Sequence, residues 1–411
     1  MTKRMDILFV SRCLPGPIVS GDRVILHHVA HQLRSRGHNL DLLGFHLGDA
    51  ESDTSPWAEP FRYIEAVRER PRSPWDYLLR LAHPFPDAGG QCWNPTMWEA
   101  IDRRMSAQRY DLVHFIGGIQ VYEFRNLVGA RRPTVITPYD SYSRHLEIAL
   151  RQATQARDRL RLRARLYLAR RYESLIFGGF GRVVMVTEAE EADMRRLAPG
   201  LPTAVIPNGV DGAYFRPGRV RGETSTLVFV GNLAYPPNAE AACSLATEVL
   251  PTVRTRVAGA NALVVGPGPP ADLVALEGPD LRITGLVPDI RPYLQRSACF
   301  VSPLASGSGM RNKILEAMAM EVPVVATPLS CEGIRVTEGE DVLLASTPED
   351  LAAAATRILV DGGLRREIGA GGRRLVLRDH TWERAADLYE GVYAEVVSEW
   401  ARDGEGQGGP P

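Results

Sequence analysis

Cysteine is scarce in this 411-residue chain, and the five present (Cys13, Cys92, Cys243, Cys299, Cys331) are scattered. No Cys-x-x-Cys occurs, which sets aside a disulfide scaffold or zinc knuckle and fits reduced thiols in a cytosol. Long apolar runs are missing too. No stretch approaches the ~18–20 apolar residues needed to cross a bilayer. The run after Lys3 and Arg4 stops at Val10, too short for the apolar region of a secretory signal. Excess charge of either sign is absent: 48 Lys and Arg face 49 Asp and Glu, a net charge of −1. That balance argues against whole-protein electrostatic binding to nucleic acid. No cluster of His, Cys and carboxylates has metal-site spacing, and no repeat of solenoid length is present. A globular protein of the cytoplasm is expected, peripheral at most to the inner face of a membrane.

What the chain does contain is an alternation of short apolar runs with amphipathic stretches. Its length exceeds the roughly 250–300 residues that one core supports, so two domains are expected. Residues 6–11 read as a buried parallel strand. Residues 22–36 have helical periodicity through Val24, Ile25, Val29, Ala30 and Leu33, with Gly37 as the stop. Further strands are predicted at 40–45, 111–115, 134–137 and 182–187. A second series has strands at 226–231, 262–266, 281–284, 299–303 and 322–326. Its helices fall near 238–257, 289–296, 310–320, 349–361 and 364–378. Such alternation builds parallel α/β sheets with right-handed crossovers. The Gly-, Pro- and Arg-rich segment 207–225 reads as a linker between domains at 1–206 and 226–381, and 403–411 reads as a disordered tail.

The most informative stretch is Gly307-Ser308-Gly309-Met310-Arg311-Asn312-Lys313-Ile314-Leu315-Glu316, followed by the apolar run Val322-Pro323-Val324-Val325-Ala326. A glycine-rich turn running into a helix offers unpaired N–H groups and the positive end of the helix dipole to a phosphate. Arg311 and Lys313 add positive charge. Asn312, Lys313 and Glu316 share one side of the helix, which places the Glu316 carboxylate to accept from sugar hydroxyls. Packing of an ordinary helix start in an α/β core is the plainer reading of the same pattern. Glu321 follows the helix where glycine usually makes a left-handed turn, and reads as tolerated strain.

These residues resemble the donor-binding motif of family-4 glycosyltransferases, in the branch associated with exopolysaccharide assembly. Two further segments match in the family's order: Ile206-Pro207-Asn208-Gly209-Val210-Asp211 with Phe215 and Pro217, and Trp382 with Tyr389 and Tyr393. The resemblance implies the GT-B architecture, two Rossmann-like doubly wound α/β domains facing a cleft, with a last helix (about 382–400) returning to the first domain. It implies a retaining, metal-independent transfer from a nucleoside-diphosphate sugar to an acceptor hydroxyl, with no cofactor. Donor contacts are then expected from Gly21, Asn232, Ser308, Gly309, Met310, Arg311, Asn312, Lys313 and Glu316, with Glu316 on the ribose. Ser308 stands where many relatives carry an acidic residue, and the loop 231–238 lacks the Arg and Lys that many have there.

Candidates for catalysis are Lys313, His114 at the end of a strand, and Asp140, placed to orient or deprotonate an acceptor hydroxyl. Their plainer readings are a surface charge cluster, a structural histidine and a loop cap. Val264-Val265-Gly266-Pro267-Gly268-Pro269-Pro270-Ala271 formally fits a dinucleotide turn, but its prolines have no N–H for a pyrophosphate. Eight arginines between Arg151 and Arg171 alternate with leucines, as in a basic helix on anionic lipid or a solvated helix face. Trp57, Trp75, Trp93 and Trp98 either shape an acceptor pocket or anchor a core. An epimerase or hydrolase of the same architecture, or a silent sugar-nucleotide-binding protein, are the other functional readings.

Overall fold

A computed structural model describes residues 3–16, 21–46, 57–71, 73, 76, 84–129, 131–138, 142–218, 225–307 and 309–406. The chain divides into two units, Met1–Pro207 with Ala385–Pro411, and Asn208–Arg384. In unit 1 the strands are β1 (Asp6–Ser11), β2 (Asn39–His46), β3 (Tyr63–Arg68), β4 (Leu112–Ile116), β5 (Thr134–Thr137), β6 (Arg182–Met185) and β7 (Thr203–Val205). They form one parallel sheet in the order β3-β2-β1-β4-β5-β6-β7. The apolar runs lie in the middle of it: Ile7 to Val10, Leu112, Val113 and Phe115 are fully buried, as strands covered on both faces must be. One buried carboxylate ties this sheet to its flanks. Asp41 on β2 accepts from Arg62, Arg104 and Tyr110. Burial alone would raise its pKa, but those hydrogen bonds outweigh burial and hold it below the usual carboxylate range.

Unit 2 holds β8 (Thr226–Val230), β9 (Asn261–Val265), β10 (Leu281–Ile283), β11 (Cys299–Ser302), β12 (Val324–Ala326) and β13 (Leu343–Leu344), parallel in the order β10-β9-β8-β11-β12-β13. Apolar layers including Leu227, Phe229, Val264 and Val301 on one face, and Val228, Phe300, Leu315 and Val324 on the other, enclose it. The helix expected at 238–257 is continuous but carries a π turn at Leu245–Val249 just before Pro251, where a ring without N–H disturbs regular pairing. Residues 208–218, read as linker, are anchored within unit 2. The Val210 N–H donates to the His380 carbonyl at 2.8 Å, Asp211 accepts from Ala213 and Tyr214, and Phe215 packs on the core. The helix Trp382–Gly406 continues from unit 2 into unit 1.

Candidate active site

In unit 2 the chain leaves β8 through β9 to β10 on one side, then returns to β11 on the other. The loops after β8 and β11 therefore part above the strand ends, the crevice where open α/β sheets bind ligands. The loop after β11 is shaped by glycine. Gly307 and Gly309 have φ of 110° and 78°, a region costly for any residue with a Cβ. A Cβ at Gly307 would lie 3.0 Å from the Arg311 guanidinium and 3.4 Å from the Tyr235 hydroxyl, so the two loops meet there. The loop after β9 braces the one after β8, because the Pro267 carbonyl accepts from the Leu233 N–H at 2.8 Å. Pro267, Pro269 and Pro270 of that turn have no N–H for a pyrophosphate, and the Gly266 N–H is taken by the Gly285 carbonyl at 3.1 Å.

The turn feeds the helix Asn312–Ala319, whose N-cap, Arg311, provides no side-chain hydrogen bond to the first turn. Of its leading N–H groups, that of Ile314 donates to the Arg311 carbonyl at 3.0 Å, and the two before it suit an anion. Arg311 donates to the Gly309 carbonyl and so closes its own turn. Asn312 accepts from the Asn208 side chain at 2.9 Å, joining two of the three motifs found in sequence. Lys313 Nζ lies 3.1 Å from Glu316 Oε1 and 3.0 Å from Oε2. Only the first contact has hydrogen-bond geometry, which leaves the buried Oε2 without a donor. Burial pushes the Glu316 pKa up, with the Lys313 charge acting against it. Lys313 is also one of only two lysines in the chain, the other being Lys3.

Other expected donor contacts have structural employment. Asn232 accepts from the Ala234 N–H at 3.1 Å, while its carbonyl accepts from Asn238. Its Oδ1 thereby folds the loop into an Asx turn, while the residue itself stays exposed. Met310 is half-buried against the core. Ser308 and Asp140 lie outside the described residues. Tyr235 and the Ser306–Glu240 hydrogen bond of 3.2 Å border the turn as well. Sequence reading passed over them because neither sits in a motif; position just past a strand end was the available signal.

His114 departs most from expectation. Its strand continues to Ile116, so His114 is central in β4 and fully buried. Nδ1 pairs with the Tyr393 hydroxyl and Nε2 with the Thr137 hydroxyl, both at 2.8 Å. Burial lowers its pKa to about 3. A neutral ring with both nitrogens engaged has no face left for a substrate, so the catalytic role expected for it gives way to a core role. The switch point of unit 1 holds a residue the sequence reading missed: Arg12, directly after β1, pairs with Asp22 at 2.9 Å. Gly21 opens the helix Gly21–Ser35 with open space around it. Trp93 is a core anchor whose indole donates to the Asp76 carbonyl, and Trp98 packs on the same core. Trp75 lies outside the described residues. Among the described residues, no group of three or more His, Cys, Asp or Glu is arranged to hold a metal.

Two parallel-sheet units, one with a glycine turn, a helix start and a buried carboxylate over its switch point, define a two-domain, Rossmann-like α/β class of protein. Two family models match in succession, "Glycosyltransferase Family 4" over residues 19–213 and "Glycosyl transferases group 1" over 224–361. Together they take in most of the chain, which belongs to the family-4 glycosyltransferases of GT-B fold. Among individual proteins, a "Glycosyltransferase 1 domain-containing protein 1" from Xenopus tropicalis is 32% identical over 102 residues, 25% of this chain and 29% of the relative. A sucrose-phosphate synthase structure from Thermosynechococcus elongatus superposes with a TM-score of 0.74 at 19% identity, covering 96% of this chain and 100% of that one. An Anabaena HepE structure in complex with UDP-glucose gives 0.62 at 16% identity, with 96% and 100% covered. At these identities the structural likeness is one of fold.

Proposed function

We propose that this protein is a retaining, metal-independent glycosyltransferase that moves a hexose-like sugar from a nucleoside diphosphate to an acceptor hydroxyl. The observation that carries this reading is the buried Glu316 carboxylate, one oxygen without a donor, a turn behind an uncapped helix start. A ribose hydroxyl supplies the missing donor, and the diphosphate meets the helix N–H groups and Lys313. In the reaction the bond from the anomeric carbon to the diphosphate oxygen breaks and a bond to the acceptor oxygen forms. The acceptor proton is released and the diphosphate departs with added negative charge. Fixed N–H groups and a cation stabilise that charge as it develops. Retention and metal independence follow the family resemblance. UDP is the first base to try, since the HepE structure of the same fold was determined with UDP-glucose. The acceptor class is a hydroxyl of a polysaccharide, lipid-linked or natural-product glycan, with exopolysaccharide assembly as the context. The enzyme works in the cytoplasm, meeting anionic lipid at the inner membrane face through its arginines between 151 and 171.

Thermal stabilisation by UDP, GDP, dTDP and ADP, compared between wild type and Glu316→Gln, tests the site, because a bound ligand raises stability by mass action. The expected outcome is stabilisation by one nucleotide and a loss of about 10- to 150-fold in its affinity in the variant, from the roughly 1.5–3 kcal/mol of a charged hydrogen bond. Nucleoside diphosphate release from the sugar donor should then need an acceptor and survive EDTA. Equal affinity in both proteins, or release that ignores acceptors, would overturn the proposal.

A further inference from the structure

The helix Ala156–Ile176 carries two apolar stripes on opposite sides. Leu162, Leu166 and Ala169 turn inward against Leu146 and Leu150 of the helix Tyr142–Gln152. Leu160, Tyr167 and Leu168 turn outward and are 70%, 67% and 60% exposed. At 3.6 residues per turn, positions 160, 167 and 168 form one line, half a turn from the buried set. A contiguous exposed apolar line marks a contact surface. Arg161 runs along one edge and Arg159 and Arg163 along the other, with Arg157 at its N-terminal end, all exposed. None of these four has an acidic partner among the described residues, whereas Arg170 pairs with Glu147. The carboxylate of Glu173 is turned inward, accepting from the Tyr142 and Ser143 N–H groups.

Charge complementarity selects the occupant. An apolar line bordered by unpaired arginines matches a surface with hydrocarbon just beneath anionic head groups. A nucleic acid would satisfy the arginines and leave the leucines in water. We infer that this helix lies in the plane of an anionic membrane, with Leu160, Tyr167 and Leu168 inserted at the acyl boundary and the arginines on lipid phosphates. The inference rests on the reading above that this chain meets a membrane through its 151–171 arginines. It adds an apolar part that salt does not screen.

Co-sedimentation of the full chain with vesicles of phosphatidylglycerol and phosphatidylcholine, against phosphatidylcholine alone, tests it. Binding to the anionic vesicles is expected, partly retained at high salt, with a drop of about tenfold or more for Leu160→Ser with Leu168→Ser. Arg157→Gln with Arg161→Gln should weaken binding at low salt only. Nucleotide-induced thermal stabilisation should match wild type in both variants, showing an intact fold. Should the leucine variant bind as wild type does while salt removes all binding, apolar insertion is overturned and the electrostatic contact stands. Should wild type ignore anionic vesicles, both fall. A wild-type dimer that the leucine changes make monomeric would assign the line to a second copy, overturning the inference.

Discussion

Glu321 sits at φ 56°, the one described non-glycine residue with positive φ. The site helix ends there in a Schellman arrangement, with the Glu321 N–H on the Met318 carbonyl and the Val322 N–H on the Ala317 carbonyl, each at 3.0 Å. Glycine suits that position, because a Cβ costs roughly 1–2 kcal/mol in left-handed backbone. The compensation is slight: Arg373 approaches the carboxylate only to 4.0 Å, and exposed pairs contribute little. Glu321→Gly should therefore raise stability by about 0.5–1 kcal/mol net of the chain entropy that glycine adds. Urea titration checks this, and a lower midpoint would show that the Arg373 contact matters more than strain. This misfit was legible from residue type alone, as was the carboxylate one turn past the glycine turn. The employment of Asn232 was not, since an asparagine facing a ligand and one closing an Asx turn look alike until hydrogen-bond partners are known.

Elements differ in how far sequence betrays them. Central strands such as β1, β4 and β8 are buried on both faces and read as continuous apolar runs. The strands β3, β7 and β13 escaped notice for physical reasons. β3 is an edge strand, mostly half-buried, so its Tyr-Ile-Glu-Ala-Val-Arg lacks an apolar run. β7 and β13 have three and two residues, too few to show a period. Misjudging the end of β4 by one residue carried His114 from the middle of the sheet to its rim. The last helix shows what that histidine does instead. Tyr389 and Tyr393 cover His114 and Thr137, while Glu390 accepts from Arg36 and pairs with His38. Replacing Tyr393 by Phe keeps the ring but leaves His114 Nδ1 without its partner. A loss of about 1–3 kcal/mol is expected, read as a lower denaturation midpoint. A variant equal to wild type would mean that the contact has no net worth.

For the whole molecule, buried neutral histidines set the acid limit. Burial lowers His114 to about 3, and burial with the neighbouring His28 and His31 lowers His27 to about 4. The unfolded chain binds these protons near pH 6.5. Their contribution is therefore complete above about pH 6.5 and declines as pH falls toward 4, by up to about 1.4 kcal/mol per pH unit for each group. Half-burial of His27 leaves it the smaller share. Denaturant midpoints should fall from pH 7 to pH 5, and more gently in His27→Gln. A midpoint rising toward pH 5 would contradict this account. The cation inventory of the chain has another consequence. Nearly all 48 basic residues are arginine, so reagents that acylate primary amines find only two lysines, Lys3 and Lys313. On the proposed reading of the site, and without any engineered tag, bound nucleotide should lower the yield of the Lys313 adduct relative to that of Lys3 in a peptide map.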